Sequence, residues 1–182
     1  MKIKISPYPL IHPTTIAVIG TIYEGKSNFT TIGDVAVAGL YPPLVMISLH
    51  ERHAATTSIL ETGKMSLNIP TKALMKKVDY CGMNSAKKGE KSFVFDHHII
   101  DDLPIINASP ISLILSVNQK VQIEKRIIFV CDVVETMVEE VHVKNKMFDF
   151  SNIAPLLYGL DNKYYSNTNV IGVGYQEGRN LK

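Results

Sequence analysis

Tryptophan is missing from the chain of 182 residues, and cysteine occurs only as Cys81 and Cys131. Two thiols in a chain long enough to bury its own core do not make a disulfide scaffold. They read as free thiols of a reducing, cytoplasmic compartment. No stretch reaches the roughly 18 consecutive apolar residues that a membrane span needs. Neither sign of charge dominates: 19 Lys and Arg against 17 Asp and Glu leave a formal charge of +2. That gives no electrostatic case for nucleic acid or a membrane surface as partner. Charged residues at 20% are sparse enough to leave room for a large interface. The first 20 residues are interrupted by Pro7, Pro9 and Pro13 and carry no small-residue cleavage site, so they read as the start of the fold.

Several chemical motifs are also missing. There is no GxGxxG fingerprint and no P-loop, so a nucleotide or flavin would be held without a dinucleotide-binding domain. There is no GxSxG turn for a serine hydrolase. Neither Cys-x-x-Cys nor His-x₃-His spacing occurs, which argues against a metal site even though His97 and His98 are adjacent. No fixed acid–base pair can be picked out. No repeat, low-complexity tract or linker divides the chain, and its length favours one domain over residues 1–182.

What is present is mostly β-type. Residues 16–23 are an apolar, β-branched run ending in the turn formers Glu24-Gly25-Lys26-Ser27-Asn28, and residues 29–32 resume it as a hairpin. Residues 44–49 read as a buried strand after the rigid Tyr41-Pro42-Pro43 break. Residues 54–61 have helical character with Gly63 as a stop. Residues 66–69 form another strand, and Thr71 stands where it would cap a helix over 72–78. Residues 80–92 read as a polar loop. The runs at 111–117 and 127–138 predict a long antiparallel pair, which residues 141–143 would continue. Short apolar pieces follow at 153–160 and 170–173. Many strands and few short helices predict a mainly β, antiparallel barrel rather than a parallel sheet.

Three segments carry candidate chemistry. Residues 25–33 offer Asn28, Thr30 and Thr31 at a strand start, suited to a heterocycle with alternating donors and acceptors. Read alone, they are equally an ordinary hairpin with polar edges. Residues 48–57 join a strand end to a helix start, a natural phosphate site. Arg52, His53, Thr56 and Thr57 supply side-chain donors there, and Arg can grip phosphate bidentately. A capped helix with a solvated basic start has the same composition. Residues 79–92 are polar and cationic, as a phosphate-closing loop would be, and also as a solvated surface loop would be.

Taken in order, these segments resemble the flavin reductase-like and flavoredoxin family. The resemblance rests on Glu24-Gly25-Lys26-Ser27-Asn28-Phe29-Thr30-Thr31, then Pro42-Pro43-Leu44 before Ile47-Ser48-Leu49. It continues through Ser66-Leu67-Asn68-Ile69-Pro70, Asp79-Tyr80-Cys81-Gly82, the run from Ser85 to Ser92, and finally Pro155-Leu156-Leu157 and Tyr164-Tyr165. It spans nearly the whole chain. It departs from the family in having Gly33-Asp34 where relatives often carry Trp, in Ala86 and Gly89-Glu90, and in the charge-rich His50-Glu51-Arg52-His53.

The resemblance implies an FMN-binding split barrel that works as a homodimer, with no catalytic side chain required. It places Asn28, Phe29, Thr30 and Thr31 along the flavin ring and ribityl chain, with Ser48 and His50 beneath them. Arg52, His53, Thr56 and Thr57 would hold the phosphate, with Asn68 close by. Ser85, Lys87, Lys91 and Ser92 would close over the cofactor, and Tyr165 would cover the ring, from the same or the partner subunit. The implied activity is electron transfer from NAD(P)H through FMN to flavin or another acceptor. Two alternatives stay open: a flavoredoxin-type carrier between redox proteins, and a non-catalytic flavin-binding dimer.

Overall fold

A computed structural model describes residues 2–144, 147–150, 153–166 and 170–176. The chain opens with β1 (Thr14–Thr15), β2 (Ala17–Tyr23), β3 (Lys26–Ile32), β4 (Val35–Gly39) and β5 (Leu44–His50). Helix α1 (Ala54–Thr62) and strand β6 (Lys64–Ile69) follow, then a 3₁₀ turn at Lys72–Leu74 leading into α2 (Met75–Met83). The hairpin β7 (His97–Ile100) and β8 (Leu103–Ile106) precedes the longest strands, β9 (Ile111–Ile123) and β10 (Arg126–Val138). Short strands β11 (Val143–Lys144), β12 (Met147–Phe148), β13 (Leu157–Tyr158) and β14 (Tyr164–Tyr165) end the described fold.

Seven strands form one antiparallel sheet in the order β3-β2-β6-β9-β10-β5-β4. Its two edge strands, β3 and β4, are consecutive in the chain, with only Gly33 and Asp34 between them. So short a link brings opposite edges of the sheet to one corner, and the sheet must curl into a barrel. The Ser48 N–H of β5 donates to the Asp34 carbonyl at that corner, at 3.0 Å. Alternate side chains fill the interior: Ala17, Ile19, Ile47, Leu67, Leu115 and Phe129 are buried together, and α1 adds Ala55 and Ile59.

Local chemistry accounts for the turns. Glu24 (φ 50°) and Gly25 (φ 75°) give the two left-handed residues that a two-residue hairpin between β2 and β3 needs. Gly63 ends α1 at φ 69°, its N–H bonded to the Ile59 carbonyl at 2.8 Å. The β9–β10 pair runs from Ile111↔Val138 to Arg126↔Ile123, with bulges near Val130 and Val133 that bend it around the barrel.

A second buried cluster lies outside the barrel wall. It joins Val18 and Phe29 to Val78 and Cys81 of α2, and to Phe95 and Ile106 near the β7–β8 hairpin. Here the structure corrects two expectations. α2 runs on to Met83 where a loop from residue 80 was expected, because Val78 and Cys81 are three residues apart on one helix face and both bury. Residues 141–143 do not extend the main sheet. They turn through a 3₁₀ segment (Glu140–His142) into the separate β11–β12 pair.

Candidate functional site

Two cavities adjoin along edge strand β3, where it meets the end of α2 and residues 84–92. The first, of about 120 Å³, is lined by Thr30, Thr31, His53, Ala54, residues 81–86 and Lys91. The second, of about 150 Å³, is lined by Tyr23, Glu24, Lys26, Ser27, Asn28, Ala86, Gly89, Glu90 and Lys91. Ala86 and Lys91 belong to both. As an edge strand, β3 pairs on one side only with β2, so outward backbone groups of β3 are not used by the main sheet.

Lys91 is the unusual residue of this site. It is 3% exposed, and its ammonium donates to the Asn84 carbonyl at 3.0 Å. No carboxylate pairs with it among the described residues. An ammonium has three N–H donors, and a buried charge without a counter-charge is costly. Burial accordingly holds Lys91 below the ordinary lysine value. His53 stands one residue before α1 and has no side-chain cap bond. Its imidazole is held below the usual histidine range by desolvation first, then by the positive groups His50, Arg126, Lys91 and Lys87. The first cavity therefore has a helix start, a histidine and a buried ammonium on its walls, with no acid among its lining residues.

One residue on the wall of the second cavity carries a buried orphan acceptor. Asn28 is 2% exposed; its Nδ2 donates to Thr21 Oγ1 at 3.1 Å, and its Oδ1 has no partner among the described residues. A buried acceptor left unpaired calls for a donor from outside the chain.

Of the residues expected from the sequence, Asn28, Thr30, Thr31, His53, Ser85 and Lys91 come together on these walls. Thr31 also donates to the Val78 carbonyl at 2.6 Å, tying α2 to β3. Ser48, His50, Arg52, Thr56 and Thr57 group at the β5–α1 junction beside His53. Thr56 Oγ1 donates to the His50 carbonyl at 2.9 Å, and His50 Nδ1 accepts the Arg52 backbone N–H at 3.1 Å. Ser48 Oγ accepts from Arg126 at 3.2 Å, and Arg126 also pairs with Asp34 at 2.8 Å.

Other expected residues are placed differently. The Phe29 ring is fully buried, edge-on to Phe95 at 5.1 Å between centroids, so its side chain belongs to the core. Asn68 is also fully buried, and its amide is fully spent. It donates to the Val18 carbonyl and Ser66 Oγ and accepts from the Ile106 N–H and Ser112 Oγ. Ser92 bonds Glu90, which also pairs with Lys26. Lys87 is exposed and its backbone N–H donates to Ser85 Oγ. Tyr165 donates to Asp161 at 2.6 Å and lines neither cavity.

Cys81, Met83 and Asn84 are cavity walls that the sequence does not single out, because its pattern predicts a polar loop over residues 80–92 and not the end of a helix. Cys81 is buried, which pushes its thiol up to about 11. Ser27 is not singled out either, because nothing in the strand pattern marks one polar edge residue over its neighbours. Nor is Arg126, because only the register of β10 on β5 brings that residue to Ser48 and His50.

The comparisons with known proteins agree on a frame. The family model described as flavin reductase like domain matches residues 10–166. Flavoredoxin from Methanosarcina acetivorans is 27% identical, each chain covered in full, with a TM-score of 0.94. Flavoredoxin of Desulfovibrio vulgaris (Miyazaki F) is 21% identical over 98% of this chain and 100% of that one, at a TM-score of 0.86. An FMN-binding protein from Thermus thermophilus, with bound 1-cyclohex-2-enone, shares the fold at 18% identity, 93% and 97% coverage and a TM-score of 0.78. No curated protein sequence matches the chain. With residues 10–166 of its 182 matched by one family model, the chain belongs to the flavin reductase like domain family.

Proposed function

We propose that the chain is one FMN-binding domain, active as a homodimer, and that FMN lies along β3 across the two cavities. The observation that carries this is Lys91, a buried ammonium with one backbone partner on the wall both cavities share. FMN matches that donor set, since its phosphate is an anion and its ring edge alternates donors and acceptors. Lys91, His53 and the start of α1 would hold the negative end; Asn28 Oδ1 would accept from the ring edge. The remaining expected contacts, Ser48, His50, Arg52, Thr56 and Thr57, would complete the phosphate end, and Tyr165 would reach the partner subunit's site.

When bound, FMN supplies the redox chemistry, and the protein supplies binding, orientation and exclusion of water. The family points to an oxidoreductase that passes electrons from NAD(P)H, or from a redox protein, to flavin or another acceptor. The flavoredoxin at a TM-score of 0.94 favours the second reading, an electron carrier fed by another protein.

The test is an absorption titration of the purified protein with FMN, followed by anaerobic addition of NADH or NADPH. Saturable binding with bleaching within seconds supports the reductase. Saturable binding with bleaching only by dithionite supports the carrier. A protein that takes up no FMN refutes both.

A further inference from the structure

His97 Nδ1 lies 2.8 Å from the Phe95 carbonyl oxygen, and its Nε2 lies 2.8 Å from Ser27 Oγ. A carbonyl only accepts, so Nδ1 carries the proton. In the neutral ring Nε2 is then an acceptor, and the Ser27 hydroxyl must donate to it. The ring is held in place edge-on to Phe29, with centroids 5.1 Å apart. The direction of the Ser27 O–H bond is therefore fixed away from the second cavity, and only oxygen lone pairs remain for anything bound there. Asn28, beside Ser27 on that wall, carries the buried Oδ1, which has no partner among the described residues. The nearby carboxylate of Glu90 is already engaged by Lys26 and Ser92.

We propose that His97 sets the polarity of Ser27, so that Ser27 and Asn28 together select a ligand edge bearing an amide or imide N–H. The inference rests on the FMN reading but goes beyond it: it assigns the specificity of the second cavity to a histidine that does not line it. Ser27 is the binding residue and His97 the positioning residue. Two sources carry the required chemistry: the ring imide of FMN and the carboxamide of a nicotinamide dinucleotide.

The experiment compares ligands that differ only in the N–H. One arm titrates the apo-protein with FMN and with its N3-methyl analogue. The other titrates the FMN-loaded protein with NAD⁺ and with its 3-acetylpyridine analogue, which has a methyl group in place of the amide nitrogen. A single neutral hydrogen bond predicts a preference of roughly 3- to 10-fold for the N–H form in one arm. That arm names the source. Ser27→Ala should bring the ratio close to one. His97→Phe, which keeps a ring beside Phe29, should reduce it by freeing the hydroxyl to rotate. The ¹⁵N shifts of His97 in the apo-protein should report a protonated Nδ1 and a bare Nε2.

A ratio near one in both arms of the wild type, or a ratio unaltered in Ser27→Ala, overturns the inference while FMN still binds. A protonated Nε2 with a bare Nδ1 overturns it regardless of any ligand. Failure of FMN itself to bind overturns the functional reading along with it, and is distinct from the other results.

Discussion

A lysine ammonium kept at 3% exposure with one carbonyl partner destabilises the empty site it lines. Replacing it by Met, close in length and apolar, should therefore move two quantities in opposite directions. Lys91→Met should stabilise the apo-protein by about 1 to 2 kcal/mol in urea unfolding. It should also weaken FMN binding by roughly 10- to 100-fold, the loss of one charge-assisted bond. A variant that lost stability and kept its FMN affinity would show that Lys91 is structural. The two thiols make a separate statement about pH. Burial raises Cys81 from 9.0 to about 11 and Cys131 from 9.0 to about 12. Below 9.0 both folded and unfolded chains carry thiols, so the contribution is fully present. Above 9.0 the unfolded chain ionises first, and stability falls by about 1.4 kcal/mol per pH unit per thiol until the folded value is reached. Lys91, shifted down from 10.5, acts with the opposite sign and offsets part of the fall. Urea midpoints measured from pH 8.5 to 10.5 should drop, with a shallower slope in Cys131→Ala.

Elements, more than single contacts, decide how the cavity wall is held. α2 supplies the wall through Cys81, Gly82 and Met83, and the Thr31 hydroxyl ties it to β3 through the Val78 carbonyl. Thr31→Val keeps the shape and removes the tie. It should cost about 1 kcal/mol of stability and raise amide exchange in α2 above that of α1. Equal exchange in both helices would show that apolar packing alone holds α2. A second junction depends on a missing side chain. At Gly20 of β2 a Cβ would stand 2.4 Å from Ser66 Oγ and 2.5 Å from the Pro104 carbonyl, so β8 could not lie where it does. Gly20→Ala should destabilise the fold by about 2 kcal/mol or more, seen as a lowered Tm. Much of this was legible in the sequence, and where it was not the reason is physical. Turn chemistry marked the Glu24-Gly25 hairpin and the Gly63 stop, since both need left-handed backbone. Apolar, β-type runs marked β2, β5, β6, β9 and β10. β4 (Val35–Gly39) went unseen because VAVAG is mostly small residues on an exposed edge. The β7–β8 hairpin went unseen because its turn is Asp101-Asp102, left-handed without glycine. Asn68 stands near the cofactor only by the family resemblance, and neither that nor the strand pattern shows the four bonds that consume its amide.

At the scale of the whole molecule, the described residues leave apolar surface that they do not cover themselves. Ile3, Ile5, Leu10 and Ile11 are 61–83% exposed on a segment that precedes the first strand. On edge strand β4 and just after it, Val37, Leu40 and Tyr41 are 69%, 72% and 98% exposed. Exposed apolar side chains and an uncovered sheet edge are both costly for a monomer in water. A homodimer in which the N-terminal segment lies on a second copy would remove that cost. It would also explain why neither cavity, at about 120 and 150 Å³, encloses a whole flavin mononucleotide within one subunit. The prediction has two parts. Sedimentation should give twice the chain mass of 20.2 kDa at micromolar concentration, and the Tm should rise with protein concentration, as mass action requires for a coupled dimer. Deleting residues 2–11 should shift the protein toward the mass of a single shortened chain and weaken FMN binding at the same time. A full-length chain that sediments as a monomer and still binds FMN would confine the site to one subunit. In that case closure over the flavin would fall to residues 84–92 alone.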